Sequence, residues 1–368
     1  MTVYASTTGQ KDLPRYFSVA FAQLSKIKHG AVELALPDGR VFRTQGQNPG
    51  PNARVDIHNP DVFTRLAREG DMGFTDAYLE GWWTSPDLQA FLDLVFANNQ
   101  EVNHGFPGGM IVQYFERLRH WLRGNSKSQA RKNISYHYDL GNDFYSTWLD
   151  ETMTYSSALF DKGAQQSLEA AQTAKYKSMV DQMGVGPGDH VLEIGCGWGG
   201  FAEYAARERG LKVTGLTISE EQYNYARTRI AEAGLADFVD FKLQDYRDEA
   251  GHYDGIASIE MFEAVGKEYW DKYFSKIKEC LKEDGKAIVQ TIIIGDEFYK
   301  KYLKTSDFIR EYIFPGGFLP SPSIFQDLSR KHGLKIVDEF SFGDSYSKTL
   351  LKWLDIFSAK ENEIEKLV

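Results

Sequence analysis

The sequence predicts an α/β protein built on a doubly wound, mostly parallel β-sheet, with a smaller α+β domain in front of it. Two observations predict this fold. From about Ser167 onward, helical patterns alternate with short apolar strand patterns, which is typical of a parallel sheet covered by helices. A run of glycines from Gly195 to Gly200 directly follows the first of these strands, at the position where open α/β sheets bind ligands.

The alternating region contains a regular succession of elements. The predicted strands are HVLEIG, LKVTGLTIS, VDFKLQDY, YDGIASIE, KAIVQTIII and a last strand KIVDEFSF. The predicted helices are SLEAAQTAKYKSMVDQMG, Phe201 to Glu208, SEEQYNYARTRIAEAG and KEYWDKYFSKIKECLKEDG. An insertion at 295–333 is rich in aromatic residues and longer than a turn requires, so we expect it to form a lid.

Residues 1–103 are predicted to form the smaller α+β domain. Pro37-Asp38-Gly39 is a hairpin turn signal between two strand patterns, and Ala53 to His58 is a further strand pattern. Asn59-Pro60 supplies an N-cap and a first-turn proline for a helix. After a connecting segment, residues 136–368 are predicted to form the second domain.

The connecting segment, residues 104–135, is predicted to contain a linker and a basic amphipathic helix. Between Arg117 and Lys132 the chain has six Lys or Arg residues and no acidic residue. Such a helix can lie on an anionic membrane, with its aromatic residues among the lipid headgroups. The pattern also fits a helix that packs on its own domain and exposes its basic face to water.

The composition limits the partners and the compartment. The 368 residues include 42 Lys+Arg and 52 Asp+Glu, a net charge of −10, whereas a nucleic-acid partner requires a basic surface. Two cysteines cannot form a disulfide framework, and the N-terminus lacks the apolar core of a signal peptide. No stretch reaches the roughly 18 apolar residues of a membrane-spanning helix. We expect a cytoplasmic protein without a nucleic-acid partner or a metal, whose contact with membranes is peripheral.

The glycine run and its neighbours predict the ligand. Gly195 and Gly197 let the backbone turn tightly and approach a ligand closely, although the same letters satisfy the dinucleotide pattern G-x-G-x-x-G. Glu193 precedes the first glycine and suits a positively charged ligand, while the next strand ends at Thr217 without the acid that a nicotinamide ribose requires. Asp245-Tyr246 offers a carboxylate for an adenine amino group. These features favour S-adenosylmethionine, and with it a Rossmann-like class I methyltransferase fold.

Several longer motifs occur in order along the chain. They are YDLGNDFY, LDETMTYSS, VLEIGCGWGGFA, GLTISEEQ, EMFEAVG and DFIREYIFPGGFLPS. Together they resemble the cyclopropane-fatty-acyl-phospholipid synthase family, which includes the mycolic acid cyclopropane synthases. The resemblance is strong over about Tyr136 to Phe357, and the first hundred residues resemble, less sharply, the N-terminal lipid-binding domain of the phospholipid members.

The resemblance implies a reaction and a binding site for its methyl donor. A methyl group passes from S-adenosylmethionine to a cis double bond of an unsaturated phospholipid acyl chain, and the resulting carbocation loses a proton as the ring closes. Tyr155 and Trp198 are expected to flank the donor, and Gln222 to bind its ribose. With Glu193, the expected donor site consists of Tyr155, Ser156, Gly195, Gly197, Trp198, Thr217, Gln222, Asp245 and Tyr246.

The resemblance also implies a base, which in the family is commonly a bound bicarbonate. Its expected ligands are Glu263 of EMFEAVG, Tyr346 and the carbonyl of Ile292. Ser157 and Gln290 stand where the family often has cysteine and histidine, and both can still hydrogen-bond an anion.

Those two replacements leave alternatives open. If proton removal from the added methyl group is inefficient, the same cation would give a methylene- or methyl-branched acyl chain. A non-catalytic lipid-binding protein of the same fold is a second alternative. The expected partners are unsaturated acyl chains and the inner, anionic face of the membrane. The chain stops earlier than its phospholipid-acting relatives usually do, so either the enzyme is naturally short or part of the lid is missing. Our hypothesis is that a neighbouring subunit covers the lipid pocket in a homodimer.

Overall fold

The computed structural model describes residues 2–102, 140–163, 165–303 and 307–367. These residues form two compact units. One contains residues 2–102 and the short segment 307–311, and the other contains residues 140–163, 165–303 and 312–367. The predicted basic helix and both predicted domain boundaries, within 103–136, lie outside the described residues.

The first unit is built on a mixed five-stranded sheet. Its strands are β1 (Val3–Tyr4), β2 (His29–Ala35), β3 (Val41–Gln45), β4 (Asn48–Ile57) and β5 (Trp83–Thr84), in the order β1-β3-β2-β4-β5. The helices are Phe17–Leu24, Val62–Leu79, Leu88–Ala97 and Asn99–Val102. The predicted hairpin is present, with Ala35 opposite Val41 across the turn. Phe17 packs edge-on against Phe42 and Phe63, with ring centroids 4.7 and 5.0 Å away, and forms the centre of the core.

The second unit is built on a sheet whose described strands are all parallel. They are β6 (His190–Ile194), β7 (Lys212–Thr217), β8 (Val239–Leu243), β9 (Tyr253–Ile259) and β10 (Leu281–Gln290). The spatial order is β10-β9-β6-β7-β8, so the first strand of the unit lies in the middle. The chain order reverses between β6 and β9, and in sheets of this kind ligands bind at the carboxyl ends of the strands at that point.

Helices cover both faces of this sheet, because its strands are apolar on both sides. Val191 belongs to one buried cluster with Phe201 and Val213, and the next residue, Leu192, belongs to the other with Phe262 and Phe274. The helices of this unit are Gly141–Trp148, Leu168–Met183, Gly200–Arg209, Glu220–Glu232, Trp270–Cys280, Asp296–Tyr302, Pro322–Lys331, Gly343–Ala359 and Glu361–Ile364. The predicted lid insertion, 295–333, contains two of these helices and a π-helical turn at Ile309–Ile313, whose first three residues belong to the first unit.

The predicted last strand, KIVDEFSF, is wrong. Residues 335–342 form no strand and pair with no other described strand. Val337 is 71% exposed and Phe340 is 52% exposed, so the apolar residues that suggested a buried strand find no packing surface. Among the described residues, no helix is both long and apolar enough to cross a bilayer.

Candidate active site

The glycine run forms the turn between β6 and the helix Gly200–Arg209. Gly195 and Gly197 have φ values of 83° and 50°, which L-residues with a Cβ rarely adopt. The N–H groups of Gly195 and Cys196 both donate to the carbonyl of Leu216, at 3.0 and 2.8 Å, and so fix the turn to the end of β7. A Cβ on Gly197 would meet nothing within 4 Å, so this side of the turn is open to a ligand.

Glu193 supplies an unsatisfied carboxylate beside this turn. The residue is 2% exposed, and its Oε2 has no hydrogen-bond partner among the described residues. Burial raises its pKa well above the usual value, although the charge of Lys175 works in the opposite direction. A buried, unpaired carboxylate oxygen is costly unless a donor or a cation satisfies it. The open glycine turn and this oxygen therefore fit S-adenosylmethionine, which brings a positive charge and hydrogen-bond donors.

The ends of β7 and β8 hold the other predicted donor-binding residues. The hydroxyl of Thr217 donates to Oε1 of Gln222 at 3.0 Å, and both residues are buried. The carboxylate of Asp245 accepts three bonds from Arg247, from the backbone N–H, Nε and Nη2, at 2.9, 2.8 and 2.6 Å. The neighbouring Tyr246 hydroxyl is buried without a partner among the described residues. Asp245 is thus held in place by Arg247, while the Tyr246 hydroxyl has no acceptor in the part of the chain that the structure describes.

Aromatic side chains form a wall around Tyr155. Its ring centroid lies 5.4 Å from Trp353, 5.5 Å from Trp148 and 5.6 Å from Tyr145. Tyr145 also contacts Trp198 at 5.0 Å. The two residues predicted to flank the methyl donor, Tyr155 and Trp198, therefore belong to one aromatic cluster. Such ring faces attract cations.

The segment after Tyr155 is fixed by a buried lysine that the sequence analysis missed. Lys175 is 2% exposed and donates to the Ser156 hydroxyl at 2.7 Å and to the Ser157 carbonyl at 2.9 Å. Burial lowers its pKa to about 7, against the attraction of Glu260, Asp150 and Glu193. No sequence signal distinguishes Lys175 from Lys177, the other lysine of its helix.

Glu260 is the second residue that the sequence analysis missed, and it lies at the centre of the predicted catalytic group. Its Oε1 accepts from the Ser157 N–H at 2.8 Å and from Nε2 of Gln290 at 2.7 Å, and its Oε2 accepts from the Tyr346 hydroxyl at 3.1 Å. Glu260 directly follows β9 with φ 48°, in the left-handed region that is strained for a residue with a Cβ. Three of the five predicted catalytic residues therefore meet at a carboxylate outside that set.

Glu263, the predicted catalytic glutamate, has different partners. Its Oε1 accepts from the Thr291 hydroxyl at 3.0 Å and from the Ile292 N–H, while its Oε2 is buried without a partner among the described residues. The Ile292 carbonyl accepts from the Thr291 hydroxyl at 3.3 Å. Burial, and secondarily the charge of Glu260, raise the pKa of Glu263 to about 8. Glu263 thus retains its proton near neutral pH.

The described residues do not fit a bound bicarbonate. Two of the expected donor groups, the Gln290 amide and the Tyr346 hydroxyl, already donate to Glu260, and Gln290 also donates to the Ser157 carbonyl at 3.2 Å. The Ser157 hydroxyl donates instead to the Ala158 carbonyl at 3.1 Å. A further anion would also lie beside the carboxylate of Glu260, where like charges repel. The motif EMFEAVG contains both glutamates, so the signal for Glu260 was present in the sequence.

The fold and this site define a class of protein, the S-adenosylmethionine-dependent methyltransferases of class I. Within that class, the sequence profile of the mycolic acid cyclopropane synthetase family matches residues 125–368, and the chain belongs to this family. The predicted fold class and the predicted family are both confirmed.

Individual relatives agree with this assignment. Tuberculostearic acid methyltransferase UfaA1 of Mycobacterium tuberculosis is 38% identical over 330 residues, covering 84% of this chain and 74% of that protein. The cyclopropane-fatty-acyl-phospholipid synthase of Escherichia coli is 35% identical over 349 residues, covering 90% and 86%. The solved structure of mycolic acid cyclopropane synthase CmaA1, complexed with SAH and CTAB, is 31% identical with a TM-score of 0.60, covering 64% of this chain and 86% of that one.

Proposed function

We propose that this protein is a cyclopropane-fatty-acyl-phospholipid synthase. It transfers a methylene group from S-adenosylmethionine to the cis double bond of an unsaturated phospholipid acyl chain. The observation that carries the proposal is the aromatic cluster of Tyr155, Trp148 and Trp353, which adjoins the segment leading to Ser157. Methylation of an alkene leaves a carbocation, and aromatic faces in an apolar site stabilise a cation that water would otherwise capture.

In this reaction S-adenosylmethionine supplies the carbon, and the protein positions the reactants and removes the proton. S-adenosylmethionine supplies a methyl group, and its sulfur keeps the electron pair of the broken bond. The π electrons of the alkene form the new bond to carbon, and the other alkene carbon becomes cationic. A base then removes a proton from the added methyl group, and the released C–H electron pair closes the ring. The chain must hold the alkene in line with the donor, exclude water and provide the base.

The branching alternative differs from ring formation only in which proton the cation loses. UfaA1 is named as a methyltransferase, whereas the family profile, the Escherichia coli relative and the CmaA1 structure are named for cyclopropane synthesis. These names favour ring formation for this chain.

The decisive experiment combines the protein, a methyl donor labelled in its methyl group, and vesicles of unsaturated phospholipid. Saturated phospholipid vesicles are the matched control. We expect label only in the unsaturated chains, with cyclopropane ring protons in the proton NMR spectrum and a mass gain of one CH₂. Absence of label from lipid would overturn the proposed function, and vinylic or doublet-methyl signals would replace ring formation by branching.

We also propose that the enzyme is cytoplasmic and binds the inner face of the membrane. On the helix Leu88–Ala97 of the first unit, Phe96 is 81% exposed and Leu92 is 53% exposed, and exposed apolar side chains of this size favour a lipid surface. The lipid-binding role of this unit is predicted from its resemblance to the N-terminal domain of the phospholipid members, and the exposed Phe96 and Leu92 support it. The basic segment from Arg117 to Lys132 would add attraction to anionic lipid.

Vesicle co-sedimentation tests this membrane proposal. Phe96→Ser should weaken binding to anionic vesicles, and replacing Arg117, Arg119 and Arg123 with Gln should weaken it further and reduce its dependence on salt. Activity on detergent-dispersed lipid should be unchanged in both variants. Equal co-sedimentation of the wild type and both variants with anionic vesicles would contradict the proposal. A homodimer remains a prediction, which light scattering of the purified protein tests directly.

A further inference from the structure

The described residues present a carboxylate of the chain itself where the family commonly uses a bound anion. Glu260 accepts hydrogen bonds from the Ser157 backbone, the Gln290 side chain and the Tyr346 hydroxyl. The side chains of the same three residues were expected to hold bicarbonate. Two of the donors expected for bicarbonate, the Gln290 amide and the Tyr346 hydroxyl, thus bind a glutamate oxygen, and the Ser157 backbone supplies the third.

We propose that Glu260 is the base that removes the proton from the added methyl group, in place of bicarbonate. The inference rests on the proposed function, because it assigns a residue to one step of that reaction. It makes Glu260 a catalytic residue that needs no anion from solution.

The position of Glu260 suits this role. It lies at the carboxyl end of β9, next to the central strand β6 that leads into the glycine turn. A Cβ on Gly195 would come within 2.8 Å of the side chain of Met261, the residue after Glu260, so the two turns are in contact. The methyl-donor turn and the carboxylate are therefore neighbours, as a base for the donated methyl group must be.

The carboxylate is held rigidly but retains a free acceptor position. Three of its roughly four lone-pair positions are used by the described donors, which leaves Oε2 able to accept a proton. The backbone N–H of Glu260 donates to the Gln290 carbonyl at 2.9 Å, which joins the ends of β9 and β10. The strained φ of 48° directs the side chain out of the strand pattern, and strain of this kind is concentrated at functional sites.

Glu260 and Glu263 differ in the charged and hydrogen-bonding groups around them. Burial raises the pKa of Glu260, while the charge of Lys175 and the three hydrogen-bond donors act in the opposite direction and favour its anion. Lys175 also donates to the Ser157 carbonyl beside it. The pKa of Glu263 is raised to about 8 by burial and by the charge of Glu260, and the groups that oppose this shift are the hydrogen bonds from Ile292 and Thr291. Of the two carboxyl groups, Glu260 is therefore the one with a cation and three donors that favour the charged form a base needs.

The step balances without any other reactant. A C–H bond of the added methyl group breaks, its proton forms a bond to Oε2 of Glu260, and its electron pair forms the ring bond to the cationic carbon. The products are a neutral cyclopropane and a protonated Glu260. The proton leaves to water once the lipid has left the site.

Turnover in buffer stripped of carbon dioxide tests the proposal. The wild-type rate should be the same with and without millimolar bicarbonate. Glu260→Gln should lose about 100-fold or more, the usual contribution of a general base. Glu260→Gly, which leaves space for an anion, should lose as much but recover when bicarbonate or formate is added. A wild-type rate that requires bicarbonate, or a Glu260→Gly variant that no anion rescues, would overturn the assignment.

Glu263→Gln is the matched comparison, because it changes the same residue type three positions away. Since Glu263 retains its proton near neutral pH, Gln is a fair mimic, and its loss should be much smaller than that of Glu260→Gln. A larger loss of turnover in Glu263→Gln than in Glu260→Gln would identify Glu263 as the base and overturn the proposal. Thermal melting of each variant separates loss of fold from loss of the base.

Binding of ¹³C-bicarbonate, followed by NMR line broadening, gives a readout that does not depend on lipid turnover. Glu260→Gly should bind the anion and the wild type should not. Binding by the wild type that is as strong as binding by the variant would overturn the inference. This readout also separates the two proposals. If no lipid is labelled, the proposed function is wrong. If in the same protein only Glu260→Gly binds bicarbonate, Glu260 nevertheless occupies the position that the anion takes in the variant.

Discussion

The hydroxyl of Tyr346 donates a hydrogen bond of 3.1 Å to Oε2 of Glu260, joining the helix Gly343–Ala359 to the carboxyl end of β9. The same helix holds the segment that carries Ser157, because Thr349 accepts from the Ala158 N–H at 3.0 Å and Ser345 accepts from the Phe160 N–H at 3.1 Å. One helix thus orients both the carboxylate and the backbone donor opposite it.

Removal of that hydroxyl should slow the reaction without unfolding the protein. Burial and the nearby carboxylates raise the pKa of Tyr346, so its hydroxyl remains a donor. A hydrogen bond to a charged group is worth about 1.5–3 kcal/mol, so Tyr346→Phe should lower kcat about 10- to 100-fold. Tyr204→Phe is the control, because its hydroxyl bonds Arg209 at the end of the helix remote from the glycine turn. Equal rates in the two variants would contradict the role of Tyr346.

Gly197→Ala should abolish binding of the methyl donor. Its backbone has φ 50° and its missing Cβ leaves open space, so alanine would strain the turn and fill the ligand's position. Gly188→Ala is a matched control with φ 89° and equally open surroundings, but it precedes β6 at the amino end of the sheet. Each variant should lose about 1–2 kcal/mol of stability. Calorimetric titration with S-adenosylhomocysteine should show loss of affinity in Gly197→Ala alone. Equal loss of affinity in Gly188→Ala would show that the glycine turn is not the binding site.

Lys175→Met should move the acid limb of the pH–rate profile to higher pH. Lys175 attracts the charge of Glu260, so its loss raises the pKa of that carboxyl group, which must then be deprotonated at higher pH. Lys276→Met is the control, since Lys276 is also buried and donates to a backbone carbonyl, that of Glu249. The profile of kcat/KM against pH checks this. An unchanged acid limb in Lys175→Met would show that the lysine has a purely structural role.

Glu263 should make the protein less stable as the pH rises. Its pKa is about 8 in the folded protein against an ordinary pKa of 4.5 for glutamate, so over that interval the folded state holds a proton that the unfolded chain has released. Stability from this group is therefore full below about pH 4.5 and is lost by about pH 8, at no more than about 1.4 kcal/mol per pH unit.

Glu263→Gln removes that contribution, so its free energy of unfolding should fall less over the same interval than that of the wild type. Lys175 acts in the opposite direction, since its lowered pKa adds stability as the pH rises above about 7, but it is present in both proteins. Urea unfolding across the interval measures the difference. Parallel curves for the two proteins would show that Glu263 does not titrate there.

Much of the site could be predicted because parallel sheets place the carboxyl ends of their strands at one edge. Glu193, Gly195, Thr217, Asp245 and Gln290 lie on or directly after strands that the helix and strand alternation predicted. The last predicted strand failed because apolar residues form a strand only where a neighbour covers them, and Val337 and Phe340 are exposed.

The sequence by itself determined the doubly wound fold, the glycine turn, the methyl donor and the family, because these depend on local patterns and on motifs that run in order. Only the tertiary structure decided which glutamate of EMFEAVG meets the catalytic group. Glu260 contacts Ser157, Gln290 and Tyr346 across separations of 103, 30 and 86 residues. A left-handed backbone turn, which no periodicity encodes, aims Glu260 at those donors and leaves Glu263 with Thr291 and Ile292.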